Sequence, residues 1–366
     1  MTTVIIAASV LFVMLVFVWI MPSLTQPTLP FGVRVPAERA TDPRIARVRR
    51  GYRSTLVGAF IVCVGAMVVL RDTVSVIWLA QGLALFGVAL YAAAYFVAHR
   101  RLQGVKAREN WYAGQREALV ANTDTQSGLV AFPWAWLLPA LLALGATIVI
   151  GVLRYPKLPA TIPTHFDING KPNGFAAKGP AAFLLPGMEV ALTILFAGLT
   201  WLALRSRYDI DPADPEASSA QQRGFRMRWS RALLLFAALT NIALLLGALL
   251  TWQILPANQP GTFAILLAPE VVILLGALGL AIVTGQGGAR MRVARSGAKT
   301  GLVHRDDDRY WKGGLIYYNP DDPAFLVEKR FGIGWTINFA SKGAWVFLGA
   351  IVLVIVASAL LPTLLR

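Results

Sequence analysis

The sequence is poor in charged residues, in cysteine and in histidine. Only 14% of its 366 residues are charged, whereas about 25% are charged in a typical soluble domain. The single cysteine, Cys63, has no second cysteine to pair with, which excludes an intramolecular disulfide and a cysteine-rich metal site. The low charge is not typical of any soluble globular class.

The sequence patterns of common enzyme classes are also missing. There is no His-Glu-x-x-His sequence, no Walker phosphate loop and no Ser-His-Asp set. The apolar runs contain neither the serine–histidine pair nor the paired aspartates of an intramembrane protease. We therefore expect a protein without enzymatic activity, bound metal or cofactor.

Apolar residues are abundant: they make up 56% of the chain, and the mean hydropathy is +0.59. A helix needs roughly 20 apolar residues to cross the hydrocarbon core of a bilayer, and eight runs reach or approach this length. The sequence therefore predicts an all-α polytopic membrane protein with about eight transmembrane helices. The runs lie near residues 4–21, 55–70, 74–97, 134–152, 181–204, 232–255, 263–284 and 344–361.

Basic residues are distributed unevenly among the segments between these runs. The segments after runs one, three, five and seven hold 28 lysines and arginines, and those after runs two, four and six hold 5. Because basic segments are retained in the cytoplasm, we expect the odd-numbered segments to be cytoplasmic. Both termini would then lie on the outer side of a bacterial inner membrane. The net charge of +15 follows from this bias, so we expect lipid contact and no nucleic-acid partner.

Five consecutive segments are expected along the chain. Residues 1–132 form an N-terminal three-helix membrane region, residues 133–205 a helix–loop–helix, and residues 206–285 a helix pair. Residues 286–342 form a cytoplasmic loop, and residues 343–366 the last transmembrane helix. Within the first segment, the arginine-rich stretch RIARVRRGYR is expected to form a short amphipathic helix at the lipid headgroups.

The stretch IPTHFDINGKPNGF, residues 162–175, is a polar island between two apolar runs. Asn-Gly pairs favour tight turns, so we expect a compact outer connection with Asp167 capping its turn. A metal site needs three or four ligands, and His99 and His304 are predicted on the other side of the membrane. A calcium loop would need glycine where Pro172 stands. We therefore expect a turn-capping histidine, and we predict ligand contacts for His165, Asp167 and Asn169.

A spaced motif surrounds this island, within residues 135–190. Its positions are Pro163, His165, Phe166, Asn169, Gly170 and Lys178. This pattern resembles the bacterial domain-of-unknown-function family 1648. The same domain occurs in SdpI-type immunity proteins, which protect a cell from a secreted killing peptide and signal to a membrane-tethered regulator. The resemblance therefore implies an extracellular peptide and a cytoplasmic regulator as partners.

A second motif-rich stretch covers residues 306–341. Its segments GLIYYN and AFLVEK are β-prone, and PDDP between them favours a turn, so we expect a short cytoplasmic β-hairpin before the last helix. The sequences YNPDD and KRFGIGWTINF within it resemble the domain-of-unknown-function family 5808. We predict that a partner docks on Trp311, Tyr318, Asn319, Asp322, Lys329, Arg330 and Trp335.

Two acidic residues lie inside the apolar runs. A rise of about 1.5 Å per residue places Glu189, in LLPGMEV, and Glu270, in LLAPEVV, about 12–15 Å deep. An ionised carboxylate at that depth costs at least about 2.5–3.5 kcal/mol, so each must be protonated, paired or in contact with water. We predict either a hydrogen bond to a neighbouring polar group or a proton- or cation-linked role, with ligand contacts at both residues.

Three functions remain open on the sequence alone. The first is a sensor or immunity-type membrane protein that recognises an extracellular peptide or ligand and signals to a cytoplasmic partner. The second is a proton- or cation-linked transporter of small solutes that uses Glu189 and Glu270. The third is a structural envelope protein without a ligand. We favour the first, on the resemblance.

Overall fold

The computed structural model describes residues 2–70, 76–118, 130–167, 170–259, 261–293 and 301–364. This part of the chain contains eight α-helices and eight short β-strands that pair two by two. The helices are α1 (Thr2–Leu24), α2 (Pro43–Leu70), α3 (Val76–Arg108), α4 (Leu138–Arg154), α5 (Leu184–Arg205), α6 (Pro215–Thr251), α7 (Thr262–Thr284) and α8 (Lys342–Leu364). The strands are β1 (Glu117–Ala118), β2 (Thr161–Phe166), β3 (Pro172–Ala177), β4 (Val303–His304), β5 (Trp311–Lys312), β6 (Ile316–Tyr317), β7 (Leu326–Glu328) and β8 (Trp335–Ile337).

Each predicted apolar run corresponds to one of these helices. Within the described residues, the six helices α2 to α7 are long and apolar enough to cross a membrane. Helices α1 and α8 contribute shorter apolar stretches, Ala8–Leu24 and Lys342–Leu353, over the residues whose side chains are described. The prediction of an all-α polytopic membrane protein is therefore confirmed.

Two helices extend well beyond their apolar runs. Helix α2 begins at Pro43, so the predicted amphipathic basic helix is its first part. Helix α6 begins at Pro215, where the Asp214 side chain accepts a hydrogen bond from the Ala217 N–H at 3.2 Å. An aspartate cap followed by proline is a favourable helix start. Hydropathy finds only the lipid-crossing part of such a helix, because the remainder is polar.

The chain folds into two compact units, and each unit is built from separate stretches. The first comprises Met1–Thr123, Arg207–Gln222 and Thr284–Ala340. The second comprises Asp124–Ser206, Arg223–Val283 and Ser341–Arg366. This grouping differs from the five consecutive segments expected from the sequence, because residues far apart along the chain fold together.

The first unit contains α1, α2 and α3 together with a polar head. We define the head as residues 25–42, 109–118, 207–222, 285–293 and 301–340, which follow α1, α3, α5 and α7. A buried apolar cluster joins the three helices to the first head segment. In it, Phe31 is fully buried and packs against the rings of Tyr52 and Phe331. Parts of all four odd-numbered connections therefore meet in one body.

The strands of the head pair differently from the prediction. Strand β6, from GLIYYN, pairs with β5, and strand β7, from AFLVEK, pairs with β8. A hairpin before the last helix is therefore confirmed, but the pairing predicted within it is wrong. One edge of strand β6 pairs with β5, and on the other edge Tyr317 is bridged to Asn338, so no edge remains for β7.

The second unit contains α4, α5, α7, α8, most of α6 and the β2–β3 hairpin. One of its buried clusters surrounds Trp252 at the end of α6. The indole N–H donates a hydrogen bond to the Ala182 carbonyl oxygen at 2.9 Å. A β-carbon at Gly151 would lie 2.8 Å from the indole ring, so the absence of a side chain on α4 lets the ring pack there. The hairpin therefore starts and ends on a closely packed base.

Candidate functional site

The connection between α4 and α5 is the antiparallel hairpin β2–β3. Its tip is a turn in which the Gly170 N–H bonds to the Asp167 carbonyl oxygen at 3.0 Å. The Asp167 side chain accepts a further hydrogen bond from the Lys171 N–H at 2.8 Å. The predicted turn and its Asp167 cap are therefore confirmed. Asn169, another predicted ligand residue, lies outside the described residues.

His165 is exposed near the tip of the hairpin. Its Nδ1 atom is hydrogen-bonded to Oδ1 of Asn173. Gly174 is its partner in the strand register, and a β-carbon at that glycine would lie 2.8 Å from the His165 β-carbon. The imidazole is therefore oriented by Asn173 and by a close approach of the facing strand.

Two other motif positions shape the hairpin itself. Gly170 has a φ of +78°, and a β-carbon there would lie 2.1 Å from the carbonyl oxygen of Ala257 in the α6–α7 connection. At the base, Lys178 Nζ donates a hydrogen bond to the Leu158 carbonyl oxygen at 3.1 Å and lies 4.7 Å from the centre of the Tyr155 ring. These two positions are explained by the local fold, and His165 remains as an exposed member of the motif.

The two acids of the apolar runs are placed differently. Glu189 on α5 is fully buried, whereas Glu270 on α7 is exposed. In the described residues neither carboxylate oxygen of Glu189 has a hydrogen-bond partner of good geometry, although the Thr147 hydroxyl lies within interaction range. Glu189 and Glu270 therefore do not form one buried site, and the transport function stays a prediction.

Several residues predicted to dock a partner are used inside the head. The Tyr317 hydroxyl donates a hydrogen bond to Asp322 at 2.7 Å and accepts one from the Asn319 side chain at 3.1 Å. The buried Asn338 side chain donates to the Asn319 carbonyl oxygen at 2.9 Å. The motif YNPDD therefore connects the two hairpins of the head.

Arg330 and Trp311 are buried as well. The Arg330 guanidinium is only 2% exposed and lies 5.0 Å from the centre of the Trp311 ring. Lys329 and Trp335 are half-buried, whereas Tyr318 exposes 47% of its surface. Among the seven predicted docking residues, Tyr318 is the one with an exposed side chain, and docking itself stays a prediction.

Arg330 belongs to a network of ion pairs in the head, in which acidic and basic side chains alternate. Buried Arg34, after α1, is paired with Asp209, after α5, and at 2.7 Å with Asp307, after α7. Asp307 is also paired with Arg330, which binds Asp308 through its second terminal nitrogen. Charges that the chain carries on three separate segments are thus neutralised by one another. Such pairing is what makes the burial of charge tolerable.

The pKa shifts in the head reflect this pairing. Burial is the largest single influence on Asp209 and would raise its pKa. The attraction of Arg34, the hydrogen bond from Arg34 and the nearby His304 and Arg207 together outweigh burial and lower the pKa below its ordinary value. The same balance lowers the pKa of Asp308, where Arg330 and Lys106 supply the attraction. Lys106 Nζ lies 2.7 Å from the Asp308 carboxylate. Both carboxyl groups therefore remain ionised at neutral pH.

A second polar cluster surrounds the buried carboxylate of Glu328. It accepts hydrogen bonds from the side chains of Gln26 at 3.2 Å, Gln222 at 2.7 Å and Gln286 at 2.9 Å. The neighbouring Gly287 has a φ of +60°, and a β-carbon there would lie 2.1 Å from a Glu328 oxygen. Three segments that are separate in sequence are therefore held by one carboxylate.

The sequence alone does not reveal these two clusters. One signal was present, since Asp306, Asp307 and Asp308 form the one run of three acidic residues in the chain. The run does not reveal its partners, because Arg34 lies 273 residues away from Asp307. Nothing in the spacing of the glutamines points to Glu328.

Two openings border the charged network. The first, beside Arg34 and Lys329, has room for little more than one water molecule, about 20 Å³. The second, beside Lys106 and Tyr112, measures about 280 Å³. Both are smaller than the roughly 300–1,000 Å³ of a typical small-molecule pocket. Among the described residues, no group of three His, Cys, Asp or Glu side chains is arranged to hold a metal ion.

Two stretches of the chain match known protein families. Residues 142–190 match a domain of unknown function, DUF1648, and residues 320–345 match a family of unknown function, DUF5808. Both family resemblances seen in the sequence motifs are therefore confirmed. Comparison with curated proteins and with solved structures found no match. The first stretch contains His165 and Glu189, and the second contains Glu328 and Arg330.

Proposed function

We propose that this integral membrane protein is a sensor of the immunity type, located in a bacterial inner membrane. In this function the β2–β3 hairpin meets an extracellular peptide, and the head presents the response to a cytoplasmic partner. The observation that carries the proposal is the head itself. In it, ion pairs join the connections after α1, α5 and α7, and the β1–β4 pairing adds the connection after α3.

The construction of the head suits an output element. Connections that only joined transmembrane helices would not need ion pairs between Arg34, Asp209 and Asp307, which belong to three different connections. Because these pairs link the ends of several helices, a shift of one helix would be felt throughout the head. Its exposed Tyr318, next to the exposed Ile316, offers a surface for a partner.

The hairpin suits an input element. It ends in a tight turn, and it keeps His165 exposed and oriented by Asn173. A pre-oriented polar side chain on a short hairpin loses little conformational freedom when a ligand binds. The strong excess of basic residues in the odd-numbered connections supports an outward-facing hairpin and an inward-facing head.

The single buried cysteine allows a direct test. Cys63→Ala removes the only thiol of the chain, and Phe175→Cys or Tyr318→Cys then reintroduces one thiol on the hairpin or on the head. With a membrane-impermeant maleimide, we expect Phe175→Cys to be labelled in intact cells. Tyr318→Cys should be labelled only after the cells are permeabilised. Labelling of both from the same side would overturn the arrangement.

The same reporter tests sensing. Cells that carry Tyr318→Cys are exposed to a secreted killing peptide of the class against which SdpI-type proteins protect, and alkylation of the permeabilised membranes is timed. We expect the rate to change about fivefold or more, the lower range of allosteric coupling. His165→Ala should abolish the change, whereas Lys157→Ala, an exposed control on the same connection, should preserve it. If the alkylation rate of the Tyr318→Cys reporter with His165 intact does not change, this peptide class is excluded as the signal.

The transport function has weaker support. It was predicted to use both Glu189 and Glu270, and only Glu189 is buried. The sensor proposal does not depend on either acid. The surroundings of Glu189 nevertheless point to a separate property of the helical core.

A further inference from the structure

Helix α5 carries a row of polar residues on one buried face. Glu189, Thr193 and Thr200 are spaced by four and seven residues, a spacing that places them on the same side of a helix. Their exposed fractions are 0%, 6% and 0%. Polar side chains are rare in the interior of membrane helices and are expensive there unless they are paired or functional.

Helices α4 and α6 face this row with further polar groups. The fully buried Asn241 of α6 donates hydrogen bonds to Thr193 Oγ1 at 2.8 Å and to the Ala140 carbonyl oxygen at 3.0 Å. Both bonds use the amide nitrogen, so the orientation of the amide is determined. Its Oδ1 atom is left buried without a hydrogen-bond partner in the described structure. This acceptor therefore lies beside Thr193, about one helical turn along α5 from Glu189.

Thr147 of α4 adds a second oxygen. Its hydroxyl donates to the Ala143 carbonyl oxygen at 3.0 Å and lies within interaction range of the Glu189 carboxylate. The hydroxyl oxygen keeps lone pairs that can accept a hydrogen bond from a third group or coordinate it. The side chains of Asn241 and Thr147 thus offer acceptor oxygens on the two helices that face Glu189.

No cationic side chain of these three helices lies at this level. Along the helix axes, at about 1.5 Å per residue, Arg154 is about 10 Å from Thr147, Arg231 about 15 Å from Asn241 and Arg205 about 24 Å from Glu189. Arg154 is also bonded to the Trp252 carbonyl oxygen, and Arg231 lies over the Trp136 ring. The charge of Glu189 is therefore not neutralised by any of them.

We propose that Glu189, Asn241 and Thr147 form a binding site for one monovalent cation, either a proton or Na⁺. A single carboxylate balances one positive charge, and acceptor oxygens are the groups that would surround it. A proton would convert the carboxylate to a neutral acid that donates to one of the two acceptors. Na⁺ would instead be coordinated by the carboxylate together with the amide and hydroxyl oxygens.

Two further buried hydroxyl groups lie between the level of the site and the α5–α6 connection. Thr200 lies 11 residues after Glu189 on α5, and Ser230 lies 11 residues before Asn241 on α6. Because the two consecutive helices run in opposite directions across the bilayer, both hydroxyls lie about 16 Å from the site on the same side of it. Both are fully buried, and neither has a hydrogen-bond partner in the described structure. Within this proposal, they are polar groups available for a route between the site and the α5–α6 connection.

The first test measures thermal unfolding of the purified full-length protein in detergent. Glu189→Gln removes the charge of the site, and Glu270→Gln is a matched control, since that acid is exposed and lies in a similar sequence. If Na⁺ is the ligand, replacing choline chloride by NaCl at constant ionic strength should raise the midpoint of wild type and Glu270→Gln by about 3 °C. Glu189→Gln should not respond.

If the proton is the ligand, Na⁺ has no specific effect and the difference appears with pH. The midpoint of the wild type should then fall with rising pH relative to that of Glu189→Gln, because the ionised carboxylate has no partner in the core. Glu270→Gln should follow the wild type. Equal responses of all three proteins to both Na⁺ and pH would overturn the proposal.

A second measurement uses the wild-type chain alone, so it does not depend on the folding of a variant. Dicyclohexylcarbodiimide labels protonated carboxyl groups in apolar surroundings, and mass spectrometry locates the label. We expect Glu189 to be labelled, and labelling to be slowed either by Na⁺ or by raised pH. Absence of label on Glu189 under all of these conditions would overturn the proposal. The result is independent of the sensor function, whose tests use the hairpin and the head.

Discussion

The head and the helical core both bury charged side chains, but they treat them in opposite ways. In the head, Arg34 and Arg330 each meet two carboxylates, and Asp307 meets both arginines. In the core of the second unit, Glu189 is equally buried and has neither a cation nor a well-formed hydrogen bond among the described residues.

This difference separates structural charge from charge that is available for function. A buried ion pair is tolerated because each partner replaces the water lost by the other, although it stabilises a fold little compared with apolar packing. A buried charge without a partner has no such compensation, so it is retained only where something else neutralises it. The comparison therefore gives the charges of the head a structural role and leaves Glu189 as the acid for which we propose ion binding.

The largest effect is expected when one side of the head network is removed. Arg330→Met leaves Asp307 and Asp308 without one of their partners, and breaking a buried pair in this way costs about 3–5 kcal/mol. Limited proteolysis in detergent should find the head cleaved far faster than in the wild type. Arg309→Met makes the same change in net charge at an exposed position and should cause little change. Equal protease resistance of the two variants would show that the network is not structural.

A smaller effect is expected at the Glu328 cluster. Gly287→Ala places a β-carbon against the Glu328 carboxylate and its glutamine partners, whereas Gly301→Ala has a similar φ of +69° but open space around it. Overpacking typically costs about 1–3 kcal/mol, so Gly287→Ala should unfold at a lower temperature than Gly301→Ala. If the two variants unfold together, only backbone strain matters and the close approach at Gly287 is unimportant.

The smallest effect concerns the protonation of the head carboxylates. It is negligible at neutral pH and grows in acid. The folded-state pKa of Asp209 and of Asp308 is lowered, so their contribution to stability is fully present above the unfolded value of about 3.9. It is lost as the pH falls through the lower folded values. Proteolysis of the head should therefore be constant near neutrality and should accelerate below about pH 4.

The Asp209→Asn variant provides the control for this pH dependence. It should begin less resistant than the wild type at neutral pH and should lose less resistance in acid. The core should respond in the opposite sense if Glu189 binds a proton, because acid supplies its ligand. Parallel acid responses of the head and the core would remove the distinction between the two regions.

Much of the fold could be predicted, because helix formation in a membrane depends on local composition. Each of the eight predicted apolar runs lies in a helix, and the turn predicted at Asp167 is present. The predicted partner of β6 was wrong, because β-propensity does not distinguish β7 from β5 as a partner. The pairing was decided by tertiary packing, which places Asn338 beside Tyr317. The early start of α6 was missed because polar helical residues carry no hydropathy signal.

The candidate sites could be predicted only in part. Glu189 and Glu270 stand in closely similar local sequences, and only the packing of α4, α5 and α6 buries one and leaves the other exposed. Arg330 was singled out by its motif, yet its role as a buried partner of two aspartates was not visible. Nothing in the sequence distinguishes Arg34 from the other basic residues, since an arginine near a membrane is explained equally well by lipid contact.

The sequence by itself determined that this is a helical membrane protein, roughly where its helices lie and how the polar hairpin turns, and its charge bias predicts which connections share a side. These properties follow from hydropathy, charge bias and turn chemistry, which act over a few to about 20 neighbouring residues. The tertiary structure alone decided which charges are paired and which acid is buried. The partners Arg34 and Asp307 are 273 residues apart, and only the packing of the helices brings such distant groups within the few ångströms over which ion pairs and hydrogen bonds act.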